Sequence, residues 1–535
     1  MIEKPDYVLA FVKPKKTEIK HIRNHWYLYE CSSKYDPTTK RSRKISGKCL
    51  GVITPNGLQE TTRRLKSESQ INQEIASRTV IDDVLHVGGP LFLWQRTQQL
   101  RERLKKHFPD TWQTVYVEAM LRTEWDVKFK RLQMHYESSL WVKLFPNLSF
   151  GPVENEAFLR RLGKQRNAIS DFMKEDIESK NVFILFDGHR LISSSKTMEF
   201  AELGYDSKRR YKPQVNLMYI FALGVDAQYP MYYKQYIGST PDVTAFSDIL
   251  NESAVSEQNC TIVADKGFAS DDDFDLLASR NLNYIIPIRR GNVFAKQMYP
   301  IHADKFEDVF NYNGRAIHAK KIESEGFNVF IYYDAQLYAN ELADAVQRGE
   351  KQNNSDLKKI ELENQRRVKG KGRLSDEELA ALQPKALIQI HSDIPEMGTV
   401  SIRTNRTELN SMQVYRVYKQ RQAIEEFFKT YATTMDCEAS YMRDRGKLEA
   451  WLFLNHLSSM VCMDCLSDIA SAGLDNKISL TDVKESLRKM TAVQMAGKWQ
   501  LAPIKRSVNS IMEKIGANIS NDSLAEVLTS SSSAK

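Results

Sequence analysis

Apolar and polar positions change their rhythm several times along the chain, and each rhythm predicts a different kind of element. Residues 1–60 hold short aromatic or β-branched runs at 7–12, 26–30 (WYLYE) and 51–53, separated by polar turns, as a small β unit would. From about 60 to 145 the spacing is helical. The piece LFLWQRTQQLRERLKKHFPD places Leu91, Leu93, Leu100 and Leu104 among basic residues and ends at Pro109, and a second helical run occupies 112–145. A charged amphipathic helix follows at 154–179. Continuous apolar runs then appear at 182–186, 215–226, 260–264 and 284–288, with a more alternating stretch at 231–238, and all of these predict strands. Between them, STPD at 239–242 opens a helix with Phe246, Ile249 and Leu250 on one side, and another helix opens at Asp271.

Residues 291–399 interrupt this order. Strand-like pieces lie at 293–294, 316–318 and 327–333, followed by a helix at 337–349 and a charged, exposed helical stretch at 358–382 with a mobile Gly/Lys-rich middle. TVSIRTN at 399–405 reads as a strand returning to the core. A long helix at 410–431, an apolar helix at 447–470 and further helical pieces follow, with a Ser-rich mobile tail from about 518. The resulting map is a basic β unit (1–60), a helical region (61–150), an α/β core (151–290 and 400–470) holding an insertion (291–399), and a helical C-terminal region (471–535).

Composition adds little to this picture until its distribution is considered. The 535 residues are 42% hydrophobic and 27% charged, ordinary values for a soluble protein, and the formal net charge is +8. Much of the basic charge is concentrated near the N-terminus, at Lys13, Lys15, Lys16, Lys20, His21, Arg23 and His25, and again at Lys40, Arg41, Arg43, Lys44 and Lys48. Interleaved with aromatics on small strands, these residues suit either a grip on a phosphate backbone or a solvated face. The helical region reads equally as a DNA-binding unit, a dimer-forming unit or simple packing. The six cysteines form no dense disulfide pattern, and the Cys462-x-x-Cys465 pair lies in an apolar helical run, where two buried small hydrophobes are expected. No signal-peptide pattern and no apolar run of membrane-spanning length are present, so a cytoplasmic protein without a membrane partner is expected.

Candidate chemistry rests on three carboxylates. The run 182–186 leads straight into Asp187 and Gly188, where the strand can fix a metal ligand or simply give way to an Asp-Gly turn. A second apolar run ends at Asp265, which is followed by Lys266, Gly267 and Phe268. Ligand-bearing side chains at strand ends are the usual layout of an α/β site. On the 410–431 helix, Tyr418, Arg421 or Gln422, Glu425 and Lys429 share one face, while Ile424, Phe427 and Phe428 supply the buried side. That composition suits a metal ligand with phosphate clamps, and equally a helix with Arg421–Glu425 and Glu425–Lys429 ion pairs. Three converging carboxylates would need cations to neutralise them.

Taken in order, these pieces resemble the DDE transposases of the IS4 superfamily, and most of all the IS1634-type insertion-sequence group. The resemblance is carried by Asp187, by GYDSKRRYKPQVNLMYIFALGVD (204–226), GSTPDVTAF (238–246), IVADKGFAS (262–270) and TVSIRTN, and by Tyr418-x-x-Arg421-x-x-x-Glu425, and it covers about 150–470. It implies an RNase H-like core interrupted by a β-containing insertion, with Asp187, Asp265 and Glu425 as catalytic metal ligands for Mg²⁺, two ions in all, with Mn²⁺ as a substitute. It also implies phosphate contacts from Tyr418, Arg421 and Lys429. The implied substrates are double-stranded terminal repeats and target DNA, in a prokaryotic cytoplasm, with a homodimer assembled on the DNA ends. The chain departs from the family pattern at Ala432, where a lysine is usual, and at the Gly188-His189 that follows Asp187. Two neighbouring readings share the carboxylates: an RNase H-like nuclease without strand transfer, and an inactive DNA-binding relic.

Overall fold

The computed structural model of the chain describes residues 4–532 except 23, 38–39, 60–80, 126–127, 180–182, 194, 204–211, 224–227, 300, 302, 383–395, 422–423, 425–426 and 429–438. It divides into two compact units, Met1–Asp82 with Gln494–Lys498, and Asp83–Val493 with Trp499–Lys535.

The first unit is an antiparallel meander of β1 (Thr17–Ile22), β2 (His25–Asp36), β3 (Arg41–Thr54) and β4 (Gly57–Gln59). Its core is small: Val8, Trp26, Leu28 and Ile53. The strand expected at 7–12 is instead a short helix, Asp6–Leu9, which follows Pro5 and turns Val8 into that core.

The second unit is organised around a mixed ten-stranded sheet. Its centre is β5 (Phe183–Ser193), β6 (Gln214–Leu223), β7 (Gln228–Tyr236), β8 (Thr261–Ala264) and β9 (Asn283–Ile288). β5, β6 and β7 form an antiparallel meander, whereas β8 pairs parallel to β5 and β9 parallel to β8. Every residue of β6 and β8 is buried, so both strands read in the sequence as unbroken apolar runs. Two helices make the connections. α4 (Asp242–Glu252) buries Ala245, Phe246, Ile249 and Leu250, and α5 (Asp271–Ser279) starts from a capping box in which Ser270 and Asp273 exchange hydrogen bonds.

The inserted residues extend this same sheet. β10 (Asp308–Tyr312), β11 (Arg315–Ser324) and β12 (Phe327–Asp334) run antiparallel, and β13 (Thr399–Thr404) joins β12 to β9, giving the order β10-β11-β12-β13-β9-β8-β5-β6-β7, with β14 (Ala439–Ser440) also paired to β5. Asn313 and Gly314, both at positive φ, make the tight β10–β11 turn. Two expectations change here. Residues 293–294 are helical (Val293–Lys296), because Asn292 caps the Phe294 N–H at 3.0 Å. The pieces at 337–349 and 358–368 are one helix, α6 (Ala335–Val368), about 50 Å long and started by Asp334, whose carboxylate accepts from the Gln336 and Leu337 N–H groups. The break at Gly370, with positive φ, precedes a short helix at Asp376–Ala381.

Behind the sheet, α8 (Arg445–Ser471) is buried over almost its whole circumference and packs on α1 (Trp112–Trp125), α2 (Pro152–Gly163) and β7, the strand on which α3 (Arg166–Ser179) also rests. Ser458 donates to the Ala119 carbonyl at 2.8 Å and Arg122 to Asn455 at 2.8 Å, so Ser458 and the Asn455 oxygen find partners across the α8–α1 contact. Cys462 and Cys465 are buried free thiols on α8, as packing residues would be. Among the described residues no helix is long and apolar enough to cross a membrane. Near the C-terminus, Thr491–Met495 is a strand rather than part of a helix. Asn521–Ser532, expected within a mobile tail, is a helix that buries Leu524 and Val527.

Candidate active site

Asp187 does not end its strand. β5 continues to Ser193, pairing with β6 from Ile184↔Ala222 through Asp187↔Tyr219 to Ile192↔Gln214. The Asp-Gly pair is therefore extended backbone and not a turn. What stops beside Asp187 is the parallel neighbour: the last β5–β8 pair is Phe186↔Ala264, and the next residues on the two chains are Asp187 and Asp265. Neighbouring strands lie about 4.8 Å apart, so this register sets the two aspartates side by side. Asp265 caps the 3₁₀ turn Lys266–Phe268, its Oδ1 accepting from the Lys266 N–H at 2.7 Å. One aspartate is held within a strand and the other at a cap, and both are fixed by the backbone.

Burial pushes the Asp187 carboxyl up to about 7, and the nearby charges of Asp265 and Asp242 push the same way. The Arg421 guanidinium and the Gly188 N–H, 3.1 Å from Asp187 Oδ1, oppose the rise. Arg421 also pairs with the second aspartate, Nη1 to Asp265 Oδ2 at 3.3 Å. Among the described residues the site is thus two adjacent carboxylates at the mouth of a parallel strand pair, with the Arg421 guanidinium beside them.

Alternation along β5 sorts its neighbours onto two faces. On one face, His189 stacks on Phe428, with centroids 4.5 Å apart and planes 9° apart, and Tyr219 and Phe221 of β6 pack against Phe427 at 5.8 and 4.7 Å. These contacts dock the segment after α7 (Ser411–Gln420) onto the strand that bears Asp187. Ile424 and Phe427 are buried, as the helical spacing predicts. Tyr418 is half-buried, with the Arg421 guanidinium 5.9 Å from its ring. Glu425 and Lys429, and with them Gln422 and Ala432, lie outside the described residues, as does the segment 204–211. Among the described residues, no group of three or more His, Cys, Asp or Glu side chains is placed to hold a metal ion.

On the other face, Phe186 packs against Phe246 of α4, and Arg190 reaches the first turn of that helix, Nη2 to Asp242 Oδ1 at 2.6 Å. Asn216 of β6 donates to the same oxygen at 3.0 Å and to the Thr240 carbonyl at 3.1 Å. Gly188 faces this carboxylate, which a Cβ at that position would meet at 3.5 Å. Sequence reasoning passed over Arg190, Asn216 and Asp242. The only local signal was the STPD helix start, which does not reveal that its aspartate ties down the strand carrying Asp187.

A family model described as Transposase DDE domain matches residues 179–461, more than half of the chain. The chain belongs to this family. The DDE domain so delimited runs from the end of α3, through the whole sheet and the segment 421–428, and into α8, and it contains both described aspartates. The β meander of the first unit, α1, α2 and the C-terminal elements lie beyond the matched stretch. No match is found among curated proteins.

Proposed function

We propose that this DDE domain is the catalytic core of a DNA transposase that cleaves the ends of an insertion sequence and joins them to target DNA. The observation that carries the reading is the side-by-side placement of Asp187 and Asp265 at the point where β8 leaves the sheet. The strand order supports an RNase H-like core: a three-strand antiparallel meander, then two parallel strands reached through helices, with β10–β12 inserted before β13 returns to the core ahead of its last helix. The order of the motifs supports the IS1634-type group within the IS4 superfamily.

The donor set fits a hard divalent cation. Both described carboxylates offer only oxygen, and the elevated Asp187 carboxyl marks a position that gains from added positive charge. Asp187, Asp265 and Glu425 would hold Mg²⁺ or Mn²⁺. Two such ions supply polarisation of the attacking water or DNA 3′-hydroxyl and neutralisation of the leaving oxygen. Arg421 already lies at Asp265, and with Tyr418 and Lys429 it would position backbone phosphates of the substrate. His189, stacked on Phe428, holds that ring against β5. Cutting two ends together calls for two such sites, hence a homodimer on duplex DNA.

Supercoiled donor DNA carrying the sequences that flank the coding region tests the reading. The protein should nick it in Mg²⁺ and produce joined products, and Asp187→Asn, Asp265→Asn and Glu425→Gln should each reduce nicking to background while the fold persists. Nicking without joined products would leave a nuclease, and full nicking by all three variants would overturn the assignment.

A further inference from the structure

The long hairpin of the first unit has features its fold does not need. β1 covers β2 only as far as Glu30, and β4 covers β3 only over Val52–Thr54. Beyond them, β2 and β3 continue as a two-stranded ribbon with the pairs Cys31↔Ser46, Ser32↔Ile45, Ser33↔Lys44, Lys34↔Arg43, Tyr35↔Ser42 and Asp36↔Arg41. The small core of the unit lies at the other end of these strands, among Val8, Trp26, Leu28 and Ile53. All residues from Arg41 to Lys48 are exposed. An isolated two-stranded ribbon is marginal by itself, and the pairing shifts register between Leu28 and Cys31, where the ribbon begins.

Its charge is equally uneconomical. Residues 31–48 contain six basic residues and one acidic, Asp36, in a chain whose whole formal excess is +8. Pairing sorts them by face. On one face Lys44 bonds Glu18 at 2.9 Å, so its charge is answered within the unit. On the other face Lys34 stands directly opposite Arg43, and the next pair on that face sets Arg41 opposite Asp36, so the like charges meet at Lys34 and Arg43. Among the described residues neither Lys34 nor Arg43 takes part in a salt bridge. Like charges directly opposite on a ribbon cost stability unless an anion lies across them.

We propose that the face bearing Lys34, Arg41 and Arg43 lies in the major groove of duplex DNA and is an end-binding element of the transposase. The fit is geometric as well as electrostatic. Two strands about 4.8 Å apart, with their side chains, match a groove about 12 Å wide, and the six paired positions on each strand span about 20 Å. Tyr35 and Ile45, exposed by 60% and 44%, add apolar contact surface on the two faces. The proposal rests on DNA being the substrate, and it adds which surface recognises the duplex and in which groove.

The test uses the full chain, without metal, and labelled duplex and single-stranded DNA from the sequences flanking the coding region. K34A/R43A should weaken duplex binding at least tenfold and flatten the dependence of log affinity on log salt by about 0.9 for each phosphate that the variant no longer neutralises. K351A/K358A removes equal charge from exposed positions of α6 and should bind as the parent does. Neither double variant should melt below the parent, since K34A/R43A relieves a like-charge pair. Equal losses in both double variants, no loss in either, or equal affinity of the parent for single strands would overturn the ribbon proposal. Separate failures remain distinguishable: a parent that nicks DNA while K34A/R43A binds normally refutes only the ribbon, whereas a parent that neither binds nor nicks refutes the transposase reading.

Discussion

The sheet that carries Asp187 and the ribbon at residues 31–46 are made of the same paired strands, but the surroundings of the two differ at every position. β5 and β6 are covered on both faces, by α4 on one and by Phe427 and Phe428 on the other. The ribbon touches its own unit only at its base, where Glu18 and Lys20 meet Lys44 and Ser46, and its residues from Arg41 to Lys48 are exposed. The sheet holds two carboxylates whose repulsion the fold tolerates at a fixed point. The ribbon holds two cations whose repulsion it tolerates on an open surface. In the first case burial fixes geometry, which the proposed phosphoryl transfer would require. In the second, exposure leaves charge available to a long polyanion, which binding requires. Precision and reach are thus assigned to different regions of one chain.

The contrast can be broken most forcefully in the core. Phe221 is fully buried and packs against Tyr219, Phe427 and Phe428. Phe221→Ala should cost about 3–5 kcal/mol in denaturant unfolding, and nicking should fall along with stability. A second test uses two carboxyls buried in α1. Burial pushes both Glu118 and Glu124 up to about 8, against the opposing charges of Arg122 and Arg488 respectively. Their folded values lie above the ordinary 4.5, so both stay protonated in the folded protein near neutrality. The stability they contribute is complete below about pH 4.5 and is lost as pH rises to about 8. Each group contributes a slope of up to about 1.4 kcal/mol per pH unit. Urea midpoints measured at pH 6 and pH 9 should therefore differ in the parent and converge in E118Q/E124Q. At the small end, Ile45→Ala on the ribbon should change unfolding by no more than about 0.5 kcal/mol. A core-sized loss there would mean that the ribbon is packed after all.

How far the sequence disclosed this arrangement depended on burial. Strands buried on both faces, such as β6 and β8, announce themselves as apolar runs, and helices with a clear inner side, such as α4, are equally legible. β5 was legible only in its first half. After Asp187 its residues, Gly188, His189 and Arg190, imitate a turn, because each meets a specific partner: Asp242 for Gly188 and Arg190, Phe428 for His189. Such partners lie 52 or more residues away along the chain, so no local pattern reveals them. α6 was divided in two for the opposite reason: a mostly exposed helix has no buried stripe to mark its continuity, only Ala345, Asp356 and Glu363 being buried. The proposed third carboxylate rests on the motif Tyr418-x-x-Arg421-x-x-x-Glu425 alone.

The convergence of three distant segments on the bound cations is the central claim, and it can be read directly from where a bound metal cuts the backbone. Fe²⁺ with ascorbate and peroxide, in place of Mg²⁺, should cleave the chain close to residues 187, 265 and 425. Excess Mg²⁺ should suppress all three cuts, and Asp265→Asn should remove them. Cuts near 187 and 265 with none near 425, or cuts elsewhere that Mg²⁺ does not suppress, would contradict it.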